Sequence, residues 1–147
     1  MTRLDTLKSL QSRIREATDP DRELDGDILV AIKGGEIVWK TANYTMEQYP
    51  AHRYASKHHI GGFANEHVPL LTGSLDACRA LAYQTLSIFW VRTDDWADRE
   101  STVSILCNPT PNTPTSGTGA TLCFAYLDAI CAALIAEEEA KLTEKAG

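Results

Sequence analysis

Apolar residues recur at helical spacing in four stretches of the chain and alternate or run together in several others. Leu4, Leu7, Leu10 and Ile14 share one helical stripe, with Arg3, Lys8, Arg13 and Arg15 mostly elsewhere. An amphipathic helix of about four turns is expected there. Leu24, Ile28 and Ile32 repeat every fourth residue and predict a second helix to about Lys33. Asp19 suits its N-cap and Pro20 its first position, acids in the first turn complement the dipole, and Gly34-Gly35 supplies the stop. A third helix opens at TGSLDA with Thr72 or Ser74 as cap, and Leu75, Cys78, Ala82 and Leu86 form its apolar line. The last runs from about Ala120 to Lys145, burying Leu122, Tyr126, Ile130 and Leu134, with Glu137 one turn before Lys141.

Between these stretches the period changes. EIVWKTANYT (36 to 45), SIFWVRT (87 to 93) and STVSILC (101 to 107) are rich in β-branched and aromatic residues and predict strands. DDWADRE suits the hairpin joining the last two. Unbroken apolarity from Ile88 to Val91 points to a strand covered on both faces, with Trp90 in the core. Residues 46 to 70 show no clean period and form a long excursion with room for one short strand. NPTPNTPTSGTGAT (108 to 121) is the one low-complexity stretch, and 108–119 reads as a Pro/Thr/Gly-rich loop that cannot pack. The order is α+β in one domain, 1–147, with a small, largely antiparallel sheet and helices enough to cover both faces.

Composition narrows this picture. A chain of 147 residues with 44% hydrophobic and 23% charged residues has the makings of one packed core. A net charge of −6 argues against broad attraction to nucleic acid. Cys78, Cys107, Cys123 and Cys131 form no CxxC pair, and the N-terminus has no apolar signal core, so a cytoplasmic protein with reduced, mostly buried thiols is expected. The apolar run 120–136 is short for a membrane span, contains Asp128 and leads into Glu137-Glu138-Glu139, so it reads as a buried helix.

Metal chemistry has one visible candidate. In DPDRELDGDI, Asp21-x-Glu23-x-Asp25-Gly26 imitates the first half of a calcium loop. Such a loop requires a glutamate at its twelfth position, which here is Ile32, and the segment carries a helical apolar pattern. A capped helix end is the better reading. Zinc between His58, His59 and His67 lacks a second ligand pair, and Cys123 and Cys131 fit a core stripe. No metal and no cofactor are expected, and no nucleophile elbow, P-loop, dinucleotide fingerprint or HExxH is present, so no catalytic residue is assigned.

ATDPDRELDGDI, LTGSLDACRAL and ATLCFAYLDAICAALIA together resemble a family of small hypothetical proteins of tailed phages and prophages, described as the phage ABA-sandwich domain. The likeness covers the first 32 residues and about 70 to 136, with PDRELD (20–25) and TGSLDA (72–77) its most specific parts. Where the family carries T-P-A-L-A-L, this chain has Thr118-Gly119-Ala120-Thr121-Leu122-Cys123, and residues 44–70 have no counterpart. The resemblance implies a three-layer α/β/α sandwich and a phage or prophage origin. It transfers no site residues.

Binding has two candidate places. HRYASKHH (52 to 59) is the one concentrated cationic stretch, and Arg53, Tyr54, Lys57, His58 and His59 suit a phosphate or nucleotide-like anion. Trp96, among Asp94, Asp95 and Asp98, suits a protein interface. The expected function is a non-catalytic phage or prophage accessory protein in the host cytoplasm. It would bind a host or phage protein complex, with inhibition of host antiviral defence as one role. The alternative is a protein that binds or sequesters a nucleotide or phosphorylated metabolite; an enzyme of unrecognised type ranks third. No membrane partner is expected, and the sheet edge with Trp96 leaves room for a homodimer.

Overall fold

Thr2 opens the first helix with a reciprocal cap: its hydroxyl accepts from the Asp5 N–H, and the Asp5 carboxylate accepts from the Thr2 N–H. The helix, α1 (Arg3–Glu16), buries Leu7, Leu10 and Ile14 along the stripe its spacing predicts. The computed structural model describes residues 2–34, 36–41, 51–55, 65–67, 69–96, 98–107 and 110–146. In chain order the other elements are α2 (Arg22–Lys33), β1 (Glu36–Thr41), β2 (Ala51–Ala55), β3 (Asn65–His67), α3 (Leu75–Thr85), β4 (Ile88–Asp94), β5 (Ser101–Cys107), β6 (Thr110–Gly119) and α4 (Leu122–Ala146). The fold is mixed α+β with antiparallel sheets.

The second helix starts later than expected. Asp21, not Asp19, is the N-cap, accepting from the Glu23 and Leu24 N–H groups. Its own N–H donates to the Thr72 hydroxyl at 2.8 Å, so the start of α2 is tied down by a residue far along the chain. Gly34 closes α2 at φ 77°, a conformation that favours glycine, with its N–H on the Val30 carbonyl. Ion pairs mark how the helices lie. Arg3 meets Glu138 while Arg15 meets Asp128, so α1 and α4 run antiparallel. Arg13 meets Asp27 while Arg3 reaches the Ile32 carbonyl, so α1 and α2 do too.

Strands β4, β5 and β6 make an antiparallel meander. Strand β5 alternates strictly, burying Ser101, Val103, Ile105 and Cys107. Helix α4 lies across that face. Every residue from Phe124 to Cys131 is buried, as expected for a helix enclosed by the sheet, α1 and α3. No helix among the described residues is long and apolar enough to cross a membrane.

The stretch 110–119, expected as part of a loop, is instead a ten-residue strand. Two features reconcile it with its composition. Pro111 and Pro114 fall where pairing skips from Cys107↔Thr110 to Ile105↔Thr115, on an edge strand, where a missing N–H costs little. Gly117 and Gly119 face α4, where no side chain would fit. A Cβ on Gly117 would stand 2.2 Å from the Ala129 nitrogen and 2.4 Å from the Ala125 oxygen; one on Gly119 would stand 2.7 Å from the Ala125 nitrogen. Their backbones meet α4 directly.

The expected covering of the sheet on both faces is not what the described residues show. Helices pack on one face only. The other carries Trp90, Arg92 and Ser116, all exposed, and the Ser104 and Ser116 hydroxyls bond each other across it. Trp90, expected in the core, is 45% exposed, and Phe89 is 61% exposed. Register explains the misreading. Pairing shifts between Ile88 and Trp90, leaving Phe89 as an extra residue in β4, and such a bulge breaks the alternation that an apolar run implies.

A second antiparallel sheet, β1-β2-β3, occupies part of the 46–70 excursion, so that region holds two short strands where one was expected.

Candidate functional site

Three places in the fold gather polar or aromatic side chains. The first is structural. Asp25, buried inside α2, accepts from both the N–H and the hydroxyl of Thr72, each at 2.7 Å, and Thr72 accepts from Asp21. PDRELD and TGSLDA, separated by some fifty residues in the chain, therefore meet in one hydrogen-bonded knot. Ser74, relieved of competition from Thr72, caps α3 by accepting from the Ala77 N–H. Thus Asp21 and Asp25 close a helix start and lock a loop to it. Among the described residues no group of His, Cys, Asp and Glu is arranged to hold a metal ion.

The second place is a cleft of about 270 Å³ lined by Leu75, Arg79 and Tyr83 of α3, Val91 and Thr93 of β4, and Tyr126 of α4. Leu75, Arg79 and Tyr83 stand four residues apart, one stripe beside the buried line of Cys78 and Ala82. Val91 and Thr93 pair with Ile105 and Val103, so they lie on the helix-covered face at the edge strand. Tyr126 is only 2% exposed and forms the floor. Burial raises its phenol pKa; Tyr83 adds to that, the Arg79 guanidinium opposes it, and Cys78 adds a little more. Among the described residues its hydroxyl makes no hydrogen bond, and Arg79 makes no ion pair.

The third is the exposed aromatic surface of β4 and the hairpin after it. Phe89 and Trp90 stand on the strand, and Trp96 is 43% exposed in the connection, with the Arg99 guanidinium 4.1 Å from its ring centre. Arg92 pairs with Asp94 at 3.2 Å, and Asp95 accepts from the buried Ser101 hydroxyl, holding the hairpin base. Strand β4 is also the edge of its sheet among the described residues.

Of the residues expected to bind, Trp96 is thus placed on an exposed surface, and Phe89 and Trp90 are exposed on the strand before it. Arg53 and Tyr54 lie on β2, where Arg53 pairs with Trp39 and His67, and Tyr54 with Ile37 and Glu66. Lys57, His58 and His59 lie outside the described residues. The cleft was missed because its residues come from three elements. The only linear trace of it was a charged residue and an aromatic continuing the helical interval from Leu75.

Cys78, Cys107 and Cys131 sit in the core, and Cys123 is half-buried against it. Burial raises the pKa of Cys78, whose thiol donates to the Leu71 carbonyl at 2.9 Å, and burial likewise raises Cys107 and Cys123. Cys131 is pushed up to about 12, by burial first and the Asp128 charge second, with Arg15 opposing. Protonated thiols of this kind are poor nucleophiles at neutral pH.

Comparison of the chain with protein-family models, with curated proteins and with solved structures finds no match.

Proposed function

We propose that this is a non-catalytic accessory protein of phage or prophage origin that binds a host or viral protein through the open face of β4 and its edge, which is unpaired among the described residues. The observation that carries the reading is the exposure of Phe89 and Trp90 on an edge strand, with Trp96 also exposed in the connection that follows it. Large aromatics with few rotatable bonds are the side chains that most often dominate binding energy at protein interfaces. An edge strand offers unpaired backbone groups to a partner strand. The fitting partner offers an extended segment with apolar pockets at alternate positions. The phage origin rests on the resemblance carried by PDRELD and TGSLDA. Occlusion of a host defence protein is the role that such a binder would serve in the host cytoplasm.

The test compares wild type with a Phe89→Ser/Trp90→Ser variant in saturation binding to host proteins captured from lysate. The variant keeps its thermal midpoint, because both side chains are exposed, and loses the partner by roughly 100-fold in affinity. Equal capture by both forms, or no saturable partner for wild type, rules the reading out.

A further inference from the structure

We propose that the cleft between α3 and β4 is a binding site for a small organic oxyanion, a carboxylate or phosphate carried on a compact apolar body. The reading is independent of the partner surface, because Val91 and Thr93 face the helices while Trp90 and Arg92 face the other way.

Two observations carry it. Tyr126 is buried, lines the cleft and leaves its hydroxyl without a hydrogen bond among the described residues. Buried hydroxyls are nearly always satisfied, and an exception at the floor of a cleft marks where a ligand acceptor belongs. Arg79 stands beside it as a guanidinium with no ion pair among the described residues, in a protein whose net charge is −6. A charge-assisted contact from Arg79, with phenol O–H groups from Tyr126 and Tyr83 and the Thr93 hydroxyl, makes a donor set for anionic oxygens. Leu75 and Val91 supply apolar wall for the rest of the ligand. A volume of about 270 Å³ lies at the small end of ligand sites, which fits a single ring or short chain and excludes a dinucleotide.

The full chain is titrated calorimetrically with benzoate, with phenyl phosphate and with benzyl alcohol as the uncharged control. Saturable binding of at least one anion is expected, with benzyl alcohol weaker by at least about tenfold. Whichever anion binds more tightly identifies the head group. Arg79→Gln abolishes the signal. Tyr126→Phe weakens it roughly tenfold while leaving the thermal midpoint unchanged, since that hydroxyl has no bond to lose within the fold. Absence of saturable binding by either anion up to about 50 mM would overturn the proposal. So would binding unchanged in both variants, or a Tyr126→Phe protein that melts earlier yet binds as before.

Discussion

The two edges of the β4–β5–β6 sheet meet the same helical layer in opposite ways. At β6, Gly117 and Gly119 sit against Ala125 and Ala129 so closely that an added Cβ would overlap backbone atoms. Asp128 seals that side, accepting from the Thr118 N–H at 2.9 Å and from Arg15 Nε at 3.1 and 3.2 Å. At β4, Arg79 and Tyr83 of α3 stand opposite Val91 and Thr93 with a cleft between them. Small residues draw elements together until backbones touch, and long ones hold them apart. One sheet therefore has a side packed backbone to backbone and a side that leaves a cleft.

The largest expected effect comes from forcing the tight side open. Gly117→Ala places its methyl into the α4 backbone, which has no flexible tip that can yield, and should cost about 3 kcal/mol in urea unfolding. The matching change on the loose side, Thr93→Ala, should stay within about 0.5 kcal/mol. Equal costs would erase the contrast.

Alkaline pH probes the same packing through its thiols. Cys131, ordinarily near 9.0, is raised to about 12 in the folded protein. From about pH 9 upward the unfolded chain loses this proton while the folded protein keeps it. Stability is therefore complete below pH 9 and falls between about pH 9 and 12, by about 1.4 kcal/mol per pH unit for each such thiol. Cys131→Ala should flatten the slope of the urea midpoint against pH; an unaltered slope would show that the thiol is not held from solvent.

A smaller effect sharpens the role of Asp128. Asp128→Ala strands the Thr118 N–H and should cost about 2 kcal/mol, whereas Asp128→Asn keeps one acceptor and should lose about half of that. Arg15 adds little to either figure, because its half-exposed side chain can turn to water. A larger loss for the asparagine variant would mean that the ion pair, not the backbone bond, seals the β6 side.

Local periodicity carried the helices. The stripe Leu7–Leu10–Ile14, the pair of hairpin strands and the enclosed α4 were all legible, because each depends on residues within a turn or two of one another. Trp96 was legible as a surface aromatic because acids surround it. The N-cap at Asp21 was not, since Thr72 selects it from a distance. Strand β6 was hidden by its own composition: glycine and proline read as loop until α4 is present to require a strand without side chains at positions 117 and 119.

By itself, then, the chain determined which stretches coil and where the β4–β5 hairpin extends. Tertiary structure alone decided that the aromatic run of β4 faces outward, that two distant motifs share Thr72, and that Arg79, Tyr83 and Tyr126 converge. The reason is range. Capping and periodicity act between neighbours along the backbone, while exposure, close approach and the shape of a cleft depend on which segment packs opposite.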